Sequence, residues 1–217
     1  MINERSTGIV DNFQDYTFHI LGCGAIGSSA ATQLVRMGAT EICLYDKDIV
    51  ESVNVGVSQY STTHIGSAKV DALASILKDI NENANILTFY EPFSEWYYQG
   101  HNDVAVLGFD AMDIRLQSVE VLLMNKHKPL FIIDGRMGAE HYQQYTFVKP
   151  TLAKYKRTWY AEGSLEPCNA KATSYCSNMT GAFISNTVRK LTTGQPYNKE
   201  LSFHFPTLSL EKSTMCV

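Results

Sequence analysis

Two kinds of segment alternate along the first 138 residues of the chain. Short apolar runs rich in β-branched and aromatic residues are typical of buried strands. Longer segments with apolar residues three and four positions apart are typical of amphipathic helices. The pattern predicts strands at residues 16–21, 41–45, 86–90, 104–109 and 130–133, and helices at residues 25–37, 67–80 and 112–126. This alternation predicts a doubly wound, mainly parallel α/β sheet.

The pattern changes after Gly138. Residues 142–148 predict a strand with no crossover helix before it, which favours an antiparallel addition to the sheet. Residues 172–191 predict a long helix, and residues 201–210 a terminal hairpin or edge strands. The expected fold class is therefore a Rossmann-like, doubly wound, mainly parallel sheet with antiparallel C-terminal strands. Between the second strand and the second helix, residues 48–63 predict a loop with at most one helical turn.

Composition narrows the class of protein. A chain of 217 residues with 45% hydrophobic content fits a single globular domain. The net charge of -4 gives no general attraction to nucleic acid or to anionic membranes. No run approaches about 18 apolar residues, and the polar N-terminus does not resemble a signal peptide, so we expect no membrane association.

The cysteines and histidines argue against a disulfide framework and against a zinc site. The 5 cysteines are an odd number without a C-x-x-C pair, and the 6 histidines show no ligand spacing. A reducing, cytoplasmic setting is the expectation that follows.

A glycine-rich turn lies between the first predicted strand and the first predicted helix. Its residues fit the pattern G-x-G-x-x-G: Gly22, Cys23, Gly24, Ala25, Ile26 and Gly27. The first glycine makes a tight turn, the second allows backbone to approach a phosphate, and the third packs helix against strand. The N–H groups at the helix start would face the phosphates. The motif therefore predicts a nucleotide site.

Asp46 closes the second predicted strand, where a carboxylate can accept hydrogen bonds from ribose hydroxyls. A capping or solvated aspartate is the alternative. Together with the glycine-rich turn, this residue indicates an adenine nucleotide, but it does not separate ATP from a dinucleotide.

The residues that follow carry a resemblance to a known family. The run from Asp46 to Asn54 (DKDIVESVN), then Gln59, and then Gly66 to Lys69 (GSAK) resembles the pattern D-x-D-x-V-x-x-S-N-L-x-R-Q followed by G-x-x-K. That pattern is typical of the ThiF/MoeB/HesA family of ubiquitin-activating-like adenylyltransferases. The resemblance extends to residues 104–115 and 134–138, and covers about residues 1–190.

The resemblance implies activation of a carboxylate by ATP, as an acyl-adenylate. It places Lys69 and Asn54 at the phosphates and includes Asp48 and Gln59 in the nucleotide-binding motif. The negative charge that develops on phosphate oxygens needs cations and N–H donors, which Lys69 and Asn54 can supply. The alternative interpretation of Lys69 is a solvated surface lysine, and that of Asn54 is an asparagine that stabilises a turn.

The family also places a magnesium ligand after the fourth strand, in the pattern D-x-x-x-x-R. Asp110 and Arg115 match its first and last positions. Asp110 is therefore the expected Mg²⁺ ligand, at the carboxyl end of a strand. Asp113 is the alternative, because a carboxylate in the first turn of a helix also stabilises that helix.

Two arginines, Arg136 and Arg5, are candidates for the role of a family arginine that this sequence lacks. The family arginine three residues after the motif asparagine is absent, since Val57 stands there. Arg136 follows the fifth strand and is the candidate in cis, with an ion pair to Asp134 or Glu140 as its structural alternative. Arg5 matches an N-terminal arginine that, in relatives, reaches the partner subunit's nucleotide site; the alternative is a frayed terminus.

Cys168 lies in the region where many family members carry a cysteine that forms a thioester or persulfide. It precedes the last long helix, and Lys171 is close to it in the sequence. A nucleophilic cysteine needs exposure and nearby positive charge. A structural cysteine is the alternative. Cys43 and Cys176 are expected to be packed in the interior.

Taken together, we expect one ThiF-like adenylation domain over residues 1–217. It comprises an N-terminal segment (1–15), a nucleotide-binding half (16–138) and a substrate-side half (139–217). The expected substrate is the C-terminal carboxylate of a ubiquitin-like protein or peptide. The expected cofactors are ATP and Mg²⁺, and no nucleic-acid partner is expected. The alternatives are a small-molecule or tRNA-base substrate, an inactive partner subunit, and an NAD-dependent oxidoreductase.

We also expect a homodimer. We expect the last long helix to expose an apolar surface with Phe183, Ile184 and Val188, which would suit a symmetric interface.

Overall fold

The computed structural model describes residues 4–97, 100, 102–159 and 172–216. Its first half alternates strands and helices as the sequence predicts. The elements of this half are β1 (Thr17–Leu21), α1 (Ala25–Arg36), β2 (Glu41–Tyr45), α2 (Ser52–Val55), α3 (Lys69–Ile80), β3 (Asn85–Phe89), β4 (Asp103–Leu107) and α4 (Met112–Met124). The single helical turn expected within residues 48–63 corresponds to α2, and a 3-10 turn follows at Thr62–His64.

The second half adds mainly antiparallel structure. Its elements are β5 (Phe131–Gly138), β6 (His141–Val148), α5 (Leu152–Lys156), α6 (Ser174–Thr192), β7 (Tyr197–Asn198), β8 (Glu200–His204), β9 (Ser209–Lys212) and β10 (Met215–Cys216). Strand β6 pairs antiparallel with β5, and β8 and β9 form the terminal hairpin. The predicted fold class is confirmed.

Eight strands form one sheet in the order β3-β2-β1-β4-β5-β6-β8-β9, in which β1 to β5 run parallel. The chain moves outward from β1 to β2 and β3, then crosses back to place β4 on the other side of β1. Such a reversal leaves a crevice at the carboxyl ends of the two strands that flank it, and open α/β sheets bind ligands there. The loops after β1 and β4 therefore meet at the expected ligand edge.

Helices cover both faces of the sheet. One apolar cluster joins the sheet to α1, α3 and α6, and a second cluster joins the other face to α4 and α5. The four apolar residues of β4, Val104 to Leu107, are fully buried, as expected for a parallel strand covered on both sides. Helices α1 and α6 approach so closely that a β-carbon on Gly181 would lie 2.4 Å from Ser29 Oγ.

Two expectations are wrong. Strand β5 does not end at residue 133, because residues 134–138 continue it as the first strand of a hairpin with β6. The apolar side of α6 is not an exposed dimer surface, because Ile184 and Val188 are fully buried in the core. Phe183 is only partly buried, but its ring stacks on Tyr142 at 5.7 Å. These side chains cover the sheet of their own chain.

Among the helices of the described ranges, none combines the length and the apolar character that crossing a bilayer requires.

Candidate nucleotide site

The glycine-rich turn takes the conformation that its sequence predicts. Gly22 has a φ of +93°, and a β-carbon there would lie 2.8 Å from the backbone nitrogen of Phe109, so the loops after β1 and β4 touch at this point. A β-carbon on Gly27 would lie 1.8 Å from the Gly22 carbonyl oxygen. Gly24 differs from both, because a β-carbon there would meet nothing within 4 Å. The turn is therefore closely packed at its ends and open in its middle.

The open middle of the turn is the start of α1. Gly24 is the N-cap residue and provides no side-chain cap, and Ala25 begins the helix. The N–H groups in the first turn of a helix have no partner within the helix, and they carry partial positive charge. Because Gly24 and Ala25 are both partly exposed, this end of α1 is suited to bind a phosphate.

Asp46 lies directly beside this turn. Its Oδ2 accepts a hydrogen bond from Cys23 N–H at 2.7 Å, and its Oδ1 accepts one from Asp48 N–H at 2.9 Å. The residue is 6% exposed, and burial raises the pKa of its carboxyl above the ordinary aspartate value, although nearby Lys69 opposes the rise. Each carboxylate oxygen can accept a second hydrogen bond. Asp46 is thus oriented by backbone and keeps capacity for ribose hydroxyls.

Lys69 is the first residue of α3. Its Nζ donates to Asp48 Oδ2 at 3.0 Å, and its backbone N–H donates to the Asp48 carbonyl at 2.9 Å. The lysine side chain is 12% exposed, against 54% for Asp48. Asp48 and Lys69 line a polar cavity of about 240 Å³ together with Ile49, Glu51 and Asn54. The cavity thus brings Asp48, Asn54 and Lys69, three of the predicted site residues, together.

Asn54 and Gln59 have structural contacts of their own. Asn54 Oδ1 accepts a hydrogen bond from Glu51 N–H at 2.8 Å as part of a capping box on α2. Its amide nitrogen, which can only donate, takes no part in this bond. Gln59 Nε2 donates to Asn178 Oδ1 at 2.8 Å, which ties the loop to α6.

Asp110 and Asp113 both lie beyond β4, and both are exposed. Asp110 precedes α4 and accepts from Ala111 N–H at 2.8 Å, whereas Asp113 lies in the first turn and accepts from Ile114 N–H at 2.9 Å. Within the described ranges, no cluster of three or more histidine, cysteine, aspartate or glutamate side chains could hold a metal. One carboxylate fits Mg²⁺, which usually keeps several waters and takes further ligands from substrate phosphates.

Arg136 belongs to a buried ionic cluster centred on Asp134. Its Nε and Nη2 donate to Asp134 Oδ2 at 3.0 and 2.7 Å, and its Nη1 donates to the Thr158 carbonyl at 2.8 Å. Arg115 pairs with the other oxygen of Asp134, and Tyr155 O–H donates to Oδ2 at 3.2 Å. Burial lowers the pKa of Arg136, but the charge and hydrogen bonds of Asp134 raise it further, so the net shift is upward. This is the structural ion pair weighed in the sequence analysis.

The remaining predicted residues lie apart from these contacts or outside the described residues. Arg5 is exposed in a 3-10 turn at Glu4–Ser6, and Cys168 lies outside the described ranges. Cys43 and Cys176 are buried as expected, and burial raises the pKa of their thiols to about 12 and about 11. Neither is therefore suited to act as a thiolate.

The sequence does not predict the contacts of two residues, Tyr60 in the candidate site and Arg115 in the buried ionic cluster. The hydroxyl of Tyr60 contacts both the glycine-rich turn and α3, and nothing in the local sequence pattern indicates this. Arg115 appeared only as the last position of a motif, and its partner Asp134 lies 19 residues away in the sequence.

Comparisons with known proteins give a family and several relatives. The sequence profile of the ThiF family matches residues 6–214. The chain is 36% identical over 85 residues to ubiquitin-like modifier-activating enzyme 5 of Oryza sativa subsp. japonica, a match that covers 38% of this chain and 20% of that protein. It is 31% identical over 91 residues to tRNA threonylcarbamoyladenosine dehydratase of Bacillus subtilis (strain 168), covering 42% of this chain and 36% of that protein. The matched part is thus a fifth to about a third of the length of these relatives.

Solved structures share the fold at low sequence identity. The crystal structure of E. coli MccB with MccA gives a TM-score of 0.75 at 16% identity, covering 99% of this chain and 68% of that one. PaaA gives a TM-score of 0.74 at 18% identity, covering 96% of this chain and 67% of that one. E. coli MccB has also been solved with ATP, and that structure gives a TM-score of 0.74 at 16% identity, covering 95% of this chain and 65% of that one.

Proposed function

This chain belongs to the ThiF family, and from that premise we propose that it is an ATP-dependent adenylyltransferase. Its substrate is the C-terminal carboxylate of a peptide or of a ubiquitin-like protein. The products are an acyl-adenylate and pyrophosphate, and Mg²⁺ is required.

The observation that carries this proposal is the arrangement of three loops at one edge of the sheet. The loop after β1 presents the open start of α1, the loop after β2 carries Asp46, and the loop after β4 carries Asp110. Lys69 begins α3 beside Asp46 and points its ammonium at Asp48. A phosphate-binding helix end, a ribose-type carboxylate, a cation and a magnesium-type carboxylate are the groups that adenylation by ATP needs.

Each group has one part in the reaction. The Asp46 carboxylate accepts the ribose hydroxyls, and the first-turn N–H groups of α1 bind phosphate oxygens. Lys69 and Asn54 stabilise negative charge as it develops there. Bound through Asp110, Mg²⁺ would neutralise further phosphate charge. A carboxylate oxygen of the substrate attacks the α-phosphorus, and the bond from that phosphorus to the bridging oxygen of pyrophosphate breaks.

The peptide or protein substrate is inferred from relatives. MccB has been solved with MccA, and the activating enzyme from Oryza sativa is named for ubiquitin-like modifiers. The surface charge of this chain also favours such a substrate over a polyanion, because its net charge is -4. The second candidate is a carboxylate on a modified tRNA base, which the similarity to the Bacillus subtilis dehydratase favours.

An ATP–pyrophosphate exchange assay tests the proposal. The wild-type protein is incubated with ATP, Mg²⁺, labelled pyrophosphate and synthetic peptides or small ubiquitin-fold proteins that end in a free carboxylate. C-terminally amidated versions of the same peptides are the matched controls. We expect exchange only with free carboxylates, and only when Mg²⁺ is present.

Three outcomes would contradict the proposal. Exchange with tRNA alone would favour the second candidate. ATP binding without exchange would favour an inactive partner subunit, and binding of NAD in preference to ATP would favour an oxidoreductase.

We also propose a homodimer in which Arg5 of one copy reaches the nucleotide site of the other. Arg5 is exposed, so it is accessible for such a contact, but the interface cannot be the apolar side of α6. Light scattering at micromolar concentration tests the dimer. A monomer would contradict both the dimer and the role of Arg5.

A further inference from the structure

Tyr60 contacts two parts of the candidate site that are well separated in the sequence. Its hydroxyl donates to the carbonyl oxygen of Cys23 at 2.6 Å and lies 3.1 Å from the carbonyl oxygen of Lys69. Cys23 belongs to the glycine-rich turn, and Lys69 opens α3. One side-chain hydroxyl therefore links the turn that faces the phosphates to the helix that carries the predicted cation.

The turn is held at Cys23 from two sides. The Cys23 N–H donates to Asp46, as described above, and the Cys23 carbonyl accepts from Tyr60. Because both polar groups of Cys23 are fixed, the peptide planes on either side of it have little freedom. The Gly24 N–H shares a peptide plane with the Cys23 carbonyl, so the direction of this N–H, immediately before α1, is fixed as a consequence.

The position of Tyr60 is itself well defined. The residue is 4% exposed and packs in the core cluster that contains Val50 and Val70. The residue after it, Ser61, is the N-cap of the 3-10 turn at Thr62–His64, and its backbone N–H donates to His64 Nδ1 at 3.0 Å. Burial raises the pKa of the Tyr60 hydroxyl well above its ordinary value, so the group remains a donor.

We propose that Tyr60 is a positioning residue of the nucleotide site, which sets the spacing between the phosphate-facing turn and Lys69. The proposal rests on the proposed function for its catalytic consequence, but the link itself belongs to this structure. Groups held in the correct geometry before substrate arrives lower the cost of reaching the transition state. Loss of the hydroxyl should therefore affect turnover more than ATP binding.

The test is Tyr60→Phe, which removes one oxygen atom and keeps the packed ring. Tyr142→Phe is the matched control: Tyr142 is fully buried, and its hydroxyl donates a single hydrogen bond to Gln144 at 2.9 Å, outside the site. Two measurements are made on both variants. Amide hydrogen exchange of the free protein reports on the link, and ATP–pyrophosphate exchange reports on kcat and on KM for ATP.

We expect Tyr60→Phe to speed amide exchange in the glycine-rich turn and at the start of α3, and Tyr142→Phe to leave both segments as in the wild type. We expect kcat to fall at least about tenfold for Tyr60→Phe, with a smaller change in KM, because small misplacements of catalytic groups are costly. Unchanged amide exchange in these segments overturns the proposal, as does faster amide exchange with wild-type kcat.

A wild-type protein without pyrophosphate exchange would count against the proposed function alone. Amide exchange would still decide whether Tyr60 holds the turn, because it needs no substrate.

Discussion

Two buried aspartates lie where the parallel part of the sheet ends, and their surroundings differ in kind. Asp46 follows β2 and accepts hydrogen bonds from two backbone N–H groups. Asp134 lies within β5 and accepts from two guanidinium groups and a tyrosine hydroxyl. Asp46 faces the open start of α1, whereas Asp134 is fully buried. The first carboxylate retains hydrogen-bonding capacity, and the second uses its capacity on the protein itself.

The difference teaches how to distinguish a binding carboxylate from a structural one. Backbone N–H groups orient Asp46 without neutralising it, so burial leaves its charged form disfavoured until a ligand supplies more donors. Asp134 has a cation on each oxygen, Arg115 from α4 and Arg136 from β5, and it also accepts from a neutral donor, Tyr155 of α5. Asp46 is therefore suited to bind a ligand and Asp134 to hold α4, β5 and α5 together.

The largest effect is expected at Asp134. Asp134→Asn leaves Arg115 and Arg136 buried without their shared carboxylate, and breaking a buried ion pair in this way typically costs about 3–5 kcal/mol of unfolding free energy. Urea unfolding followed by circular dichroism measures the loss. A triple variant, Arg115→Met with Asp134→Leu and Arg136→Met, should recover part of it. A loss below about 1 kcal/mol would show that Asp134 is not the centre of the cluster.

The next effect concerns the exposed carboxylates beyond β4. Asp110→Asn should lower Mg²⁺-dependent pyrophosphate exchange at least about 100-fold, equivalent to about 2.7 kcal/mol of transition-state stabilisation. Asp113→Asn is the matched control, because both side chains are exposed and both accept from the next N–H. If only Asp113→Asn abolishes exchange, the magnesium ligand has been assigned to the wrong aspartate.

The sequence predicts the strands and helices from β1 to α4 closely, because the features that mark them lie within a few neighbouring residues. An apolar run followed at once by a glycine or an aspartate marks the ends of β1 and β2, and β2 matches its prediction at both ends. The sequence pattern ends β5 at residue 133, because Asp134, Gly135 and Arg136 are too polar to predict a sheet interior. Long-range partners satisfy these polar groups, and a single sequence does not show such partners.

Long-range packing also explains the other errors and omissions. The apolar side of α6 was correctly identified, but the sequence does not say whether it covers its own sheet or a second copy. The role of Arg136 depended on whether Asp134 or a phosphate lay within reach, and only the fold supplies that distance. The contacts of Tyr60 depend on residues 9 and 37 positions away in the chain.

A smaller effect is expected at Asp46. Asp46→Asn should weaken ATP binding by about 1–3 kcal/mol, because the ribose hydroxyls lose a charged acceptor. Calorimetric titration with ATP measures the change. Asp71→Asn, at an exposed position in the first turn of α3, is the control. Wild-type affinity in Asp46→Asn would remove Asp46 from the site and would end its contrast with Asp134.

The smallest effect is a pH dependence of stability that belongs to Asp46. Its pKa is raised in the fold, chiefly by burial, so the folded chain holds this proton more tightly than the unfolded chain does. The contribution of Asp46 to the free energy of unfolding is therefore largest below the ordinary aspartate pKa of about 3.9, and it is lost as pH rises through the higher pKa in the fold.

Thermal unfolding of the wild type and of Asp46→Asn, measured across this pH range, isolates that contribution, because the other titrating groups are common to both proteins. We expect the stability of the wild type relative to the variant to decrease as pH rises. The affinity for ATP should change in the opposite direction, because only the ionised carboxylate can accept from both ribose hydroxyls and both backbone N–H groups. A relative stability that increases with pH would mean that Asp46 is stabilised as an anion by the free protein, as a structural carboxylate is.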